Sequence, residues 1–186
     1  MSSQEGAGFE PATGDGPPPG GSAQARAASV RTAFEGLLQI RRLTGEGRDD
    51  PEAAPAAWEL HRPVRAVALA LESSGATPSA VDASGRRVAA GYRVRTGESA
   101  GSVRVDWTGP PGSGAAHHEE EALAECAEVL RRLGWTVLLY RGPRRRRYLE
   151  VEAPAGVPGG GGSGRGGALS DPWEMLDGPT PLTRRR

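Results

Sequence analysis

The chain has 186 residues, and its 23 basic residues, all of them arginine, balance 23 acidic ones. Without a lysine it cannot form a lysine Schiff base, hold pyridoxal phosphate in the usual way, or offer a P-loop or kinase lysine to a phosphate. The neutral balance gives no general drive toward nucleic acid or an anionic membrane, so either partner needs a local cluster.

Asparagine is absent as well, and Ile40 is the one isoleucine. Lys, Asn and Ile have AT-rich codons, so the composition points to a GC-rich, bacterial genome. A single cysteine, Cys126, excludes an internal disulfide and fits a reducing compartment. The start Met-Ser-Ser-Gln-Glu-Gly has neither the basic residues nor the apolar run of a secretory signal. No stretch approaches the roughly 18 consecutive apolar residues of a membrane span, so the expectation is a cytoplasmic protein with no membrane partner. Gly 28 and Pro 16 gather at the ends. Low-complexity ends of this kind leave one α+β domain at 29–153.

Residues 1–28 contain Pro17-Pro18-Pro19-Gly20-Gly21 and few large apolar groups, and they read as disordered. A first helix follows. Thr32 and Glu35 have capping-box spacing, Phe34, Leu37, Leu38 and Arg41 follow the helical period, and Gly45 stops it. Arg41 and Arg42 near its end suit the helix dipole. Asp50 caps a second helical region with Pro51 in its first turn, and Pro63 divides that region. A short piece surrounds Trp58, and a longer one runs from about Pro63 to Glu72, with Val64, Val67, Ala68 and Leu71 on its apolar face.

The period changes at residue 86. Val88, Ala90, Tyr92 and Val94 alternate, as do Val103, Val105 and Trp107, which makes a β-hairpin around Gly97–Gly101. A long helix spans about Ala115 to Leu133, with Leu123, Cys126, Ala127, Leu130 and Leu133 on one face, and Gly134 ends it. Trp135–Arg141 and Arg147–Glu152 form a second hairpin turning at Gly142-Pro143-Arg144. The predicted architecture is a two-layer α+β domain. Its mainly antiparallel four-stranded sheet is built hairpin–helix–hairpin and preceded by two or three short helices. Residues 154–168 read as a Gly-rich linker and 169–186 as a tail.

Three groups of residues invite chemical readings. His117-His118-Glu119-Glu120-Glu121 places His117 and Glu121 at metal-pair spacing, but no further ligands accompany them. An acidic first helical turn explains the run instead. Gly97-Glu98-Ser99-Ala100-Gly101 matches a nucleophile-elbow pattern, yet a strand rather than a helix follows it, which makes it a hairpin turn. Cys126 lies on an apolar stripe and reads as a buried, inert thiol. No catalytic residue, cofactor or metal is expected.

Two groups point to partners. Arg141, Arg144, Arg145, Arg146 and Arg147, followed by Tyr148, concentrate positive charge at a hairpin tip. Arg93, Arg95 and Arg104 fall on one sheet face beside them. Arginine forks suit phosphate and tyrosine stacks on bases, so this surface could meet nucleic acid, although Glu150 and Glu152 could instead pair with it across the sheet. In the tail, Leu169, Trp173 and Leu176 recur at i, i+4 and i+7, with Asp171 and Pro172 as a helix start. That is the anchor pattern of a short helix docking in an apolar groove, or of a segment folding back on its own domain. The sequence thus favours a non-catalytic binding or adaptor protein that recruits a protein partner through the tail. The alternative is a nucleic-acid-associated accessory protein using the arginine tip. Oligomeric state leaves no mark in these residues.

Overall fold

The computed structural model of the chain describes residues 9–154. These residues form four α-helices and six strands in an α+β arrangement: α1 (Ala23–Thr44), α2 (Ala57–His61), α3 (Pro63–Ser73), β1 (Ala80–Val81), β2 (Arg87–Ala89), β3 (Gly91–Thr96), β4 (Val103–Thr108), α4 (Ala115–Arg132), β5 (Thr136–Arg141) and β6 (Arg147–Glu152). The four long strands make one antiparallel sheet in the order β3-β4-β6-β5, as two hairpins joined across β4 and β6.

Local chemistry accounts for these boundaries. Asp50 accepts backbone N–H bonds from Glu52 and Ala53, and Pro51 begins a 3₁₀ turn behind it. Pro63 lacks an N–H, so α2 ends and α3 begins on either side of Arg62. Gly45 closes α1, its N–H donating to the Arg41 carbonyl at 2.8 Å. At the end of α4, Gly134 takes a φ of 83°, and its N–H donates to the Arg131 carbonyl at 2.9 Å.

Alternation along the strands sorts side chains between two faces. Tyr92, Val94, Val103, Val105, Leu149 and Val151 point to one face and are buried under α3 and α4. Leu123, Cys126, Ala127 and Leu130 of α4 and Val67 and Leu71 of α3 complete this core. Every residue from Ala66 to Leu71 is buried, because α3 has the sheet and α4 on one side and α1 on the other. Val30, Leu37 and Leu69 form a second small cluster between α1 and α3, with Phe9, Phe34 and Trp58 packed around it.

The structure corrects three sequence expectations. Residues 9–28 are ordered against the domain. α1 begins at Ala23, with the Ser22 hydroxyl accepting from the Ala25 N–H, about ten residues before the Thr32 start that its capping-box spacing suggested. Ahead of α1, the Val94 N–H donates to the Thr13 carbonyl at 2.7 Å, and the Tyr92 hydroxyl donates to the Ala12 carbonyl. Next, the strand expected through Val88 to Val94 is two strands. β2 pairs with β1 in a separate small sheet, and the chain breaks at Ala90. Gly91 permits that break, since a Cβ there would collide with the Thr77 carbonyl. Lastly, the β5–β6 turn takes up 142–146, two residues more than the expected Gly142-Pro143-Arg144. Proline cannot adopt positive φ, so the two left-handed positions fall on Arg144 and Arg145, at φ 58° and 59°.

Candidate interaction surfaces

Pairing register puts Arg93, Arg95, Arg104, Asp106, Tyr148, Glu150, Leu138 and Tyr140 on the sheet face opposite the helices. Among the described residues no helix covers that face. Its centre is one carboxylate. Asp106 accepts from Arg93 at 3.0 Å and Arg95 at 3.1 Å through one oxygen, and from Arg104 at 2.9 Å through the other. Burial pushes the Asp106 carboxyl up. Hydrogen bonds from Arg93 and Arg104, with their charges, outweigh it and hold the group below its ordinary value. The three sheet arginines therefore converge on Asp106 rather than on Glu150 or Glu152. Glu150 is buried by the β3–β4 turn, where it accepts from the Ser102 hydroxyl and the Glu98 N–H.

Tyr148 continues the row. The Arg104 guanidinium lies 3.5 Å from its ring centre, and Tyr140 stacks on it at 5.6 Å between centroids. Beyond it, the hairpin tip folds back onto the start of α4. Arg146 meets buried Glu119 at 2.6 Å and donates to the Trp107 carbonyl. Arg147 meets Glu120 at 2.8 Å, and its N–H donates to Glu119. Glu119 and Glu120 are thus the counter-charge of the tip, and because α4 begins at Ala115 they lie one turn inside the helix rather than in the acidic first turn that the sequence suggested. Among the described residues, Arg141, Arg144 and Arg145 have no carboxylate within 4.0 Å.

Other expected sites resolve more simply. Ser99 sits in an exposed turn between β3 and β4, without the strand-to-helix setting of a nucleophile. Cys126 is buried in the core, and desolvation there, reinforced by Glu125, raises its thiol pKa to about 12. Among the described residues no three His, Cys, Asp or Glu side chains gather where they could hold a metal ion, and no helix is long and apolar enough to cross a membrane. Leu169, Trp173 and Leu176 lie outside the described residues.

Two features escaped the sequence reading. One is a cavity of about 540 Å³ between α1, α2 and α3, walled by Phe9, Leu37, Ile40, Trp58 and Leu69 and rimmed by His61 and Arg65. The other is β5. As the outer strand of the sheet it leaves Leu138, Leu139 and Tyr140 exposed by 44%, 54% and 44%. The signal was present: β6 reads Leu-Glu-Val-Glu, so the face that Leu138 and Tyr140 share with Glu150 and Glu152 cannot be a core face.

No protein-family model, curated protein or solved structure matches this chain.

Proposed function

We propose that the chain is a non-catalytic binding protein that recruits a protein partner, with Leu169, Trp173 and Leu176 of the tail as its anchors. The observation that carries this reading is the internal pairing of arginine. Six of the nine side chains that could have faced nucleic acid, namely Arg93, Arg95, Arg104, Arg146, Arg147 and Tyr148, are already engaged with Asp106, Glu119, Glu120 or one another. Large apolar side chains are left to solvent as well, among them Ile40, Leu43 and Leu139. Burial of the one cysteine in the core, with its thiol pKa raised, fits a packing role for that residue. A cytoplasmic, bacterial setting belongs to the same proposal, supported by the single cysteine and the arginine-only composition.

The test is affinity capture from a nuclease-treated lysate, comparing the intact chain with a Trp173→Ala, Leu176→Ala double variant. A partner held by the first and lost by the second supports the anchor role. Equal capture by both removes the tail from the function.

Nucleic-acid binding has one observation in its favour: at the hairpin tip that follows the Tyr140–Tyr148 stack, Arg141, Arg144 and Arg145 have no carboxylate partner among the described residues. Binding through them would fall steeply with salt and disappear on replacing all three with serine. Salt-independent binding, or binding that survives the triple variant, eliminates it.

A further inference from the structure

The chain treats the two edges of its main sheet differently. Beside β3 it supplies its own cover. The Val94 N–H donates to the Thr13 carbonyl at 2.7 Å, the Tyr92 N–H to the Thr77 carbonyl at 3.0 Å, and the Ser79 N–H to the Tyr92 carbonyl at 2.9 Å. Beside β5, no described strand pairs further. This edge is also apolar on both faces and runs without a bulge, and its six residues include neither proline nor an acidic group. Edges left in that state are templates for another strand.

Hydrogen-bond phase shows which backbone groups are on offer. The Gly142 N–H donates to the Arg146 carbonyl at 2.7 Å, so alternation turns the polar groups of Leu138 and Tyr140 toward β6. Those of Val137, Leu139 and Arg141 then face outward. The Arg131 guanidinium, which donates to the Val137 carbonyl at 3.0 Å, agrees with this phase.

We propose that β5 pairs antiparallel with β5 of a second copy of the chain, joining two four-stranded sheets into one. Self-complementarity selects this occupant. A two-fold axis at Leu139 lets that residue exchange both N–H···O bonds with its counterpart. Leu138 then lies opposite Tyr140 of the other copy, twice over, and extends the Tyr140–Tyr148 stack across the seam. Leu139 meets its counterpart on the helix-bearing face. The two Arg141 residues fall at opposite ends of the ladder, so their like charges stay apart. One strand from each copy makes a small interface, and the dimer is accordingly reversible and concentration-dependent. None of this draws on the tail.

Sedimentation velocity of the full chain, from about 1 to about 500 µM, reads the association in the range expected of a small interface. The expected result is a monomer that becomes a dimer as concentration rises. Leu139→Glu and Leu139→Arg, each alone, place like charges face to face and stay monomeric. Their equimolar mixture restores a heterodimer, which also shows that both variants fold. The Trp173→Ala, Leu176→Ala variant dimerises like the parent chain. A parent chain monomeric throughout would overturn the proposal. So would a dimer that either charge variant retains, a mixture that fails to associate, or a dimer lost in the tail variant.

Discussion

Asp106 concentrates the electrostatics of the open sheet face in one side chain. Its folded pKa lies below the ordinary value near 3.9, so the stability it contributes is fully present above about pH 4. That stability is lost as pH falls through the lowered folded value. Asp106→Asn removes the negative charge, replaces one of its two acceptor oxygens with an NH2 donor, and leaves three guanidinium groups crowded together. It is expected to cost about 1–3 kcal/mol at pH 7, with the gap to the parent chain narrowing below about pH 4. Urea denaturation across that range measures it, and a pH-independent gap would contradict the assignment. Arg41 is a second single-residue determinant. It is 1% exposed and forks onto Glu59, also 1% exposed, at 2.7 and 2.8 Å, and its remaining amino group donates to the Glu52 and Leu133 carbonyls. One side chain thereby ties α1 to α2, to the turn at Pro51 and to the end of α4. Glu59→Gln leaves that buried charge without its partner, and the expected loss is about 3–5 kcal/mol by chemical denaturation. The sequence displayed Arg41 in the helical period of Phe34, Leu37 and Leu38 and as a cation near the helix end, but nothing in a local pattern reveals a partner 18 residues away.

At the scale of elements, legibility followed periodicity. The α4 stripe, the break at Pro63 and both long hairpins were readable because burial repeats every 3.6 or 2 residues. The small β1–β2 sheet was not, since two- and three-residue strands are too short to display a period. The β5–β6 turn shows how one residue's stereochemistry shifts an element. Pro143 prevents a left-handed conformation at its own position, and Arg144 and Arg145 take it up instead, closed by the Arg146 N–H donating to the Pro143 carbonyl at 3.3 Å. These are the only non-glycine residues with positive φ among those described. Such a turn favours Asn-Gly, and each ill-suited residue costs on the order of 1 kcal/mol. An Arg144→Asn, Arg145→Gly double variant is therefore expected to gain about 1 kcal/mol, seen as a higher melting temperature. A lower one would show that the arginine side chains hold the turn themselves.

For the whole molecule, the decisive departure from the sequence reading is where the domain begins. A glycine- and proline-rich opening reads as unstructured because it has little apolar surface to bury. Residues 9–16 are instead held mainly through the backbone, which composition does not report. Glu72, at the end of α3, accepts from the Ala12 N–H at 2.9 Å and from Arg26 of α1 at 2.7 and 2.9 Å. Further along, the Thr13 carbonyl accepts from β3 and the Gly16 carbonyl from the Val81 N–H at 3.0 Å, while Arg87 reaches the Gly14 carbonyl and the Asp15 carboxylate. Gly14 admits this close approach at φ 84°, where a Cβ would strike the Tyr92 carbonyl. The segment thus joins α1, α3, both small strands and β3, and it closes one sheet edge. Deleting residues 1–16 strips acceptors from Tyr92, Val94 and Val81 and leaves Glu72 with Arg26 alone. Each lost bond is worth about 1 kcal/mol, so the expected cost is on the order of 3–4 kcal/mol. Urea unfolding of the shortened chain provides the measurement, with hydrogen exchange at Val94 as its local counterpart. Unchanged stability together with unchanged protection at Val94 would mean that the sheet closes its edge without this segment, and would return the start of the domain to α1.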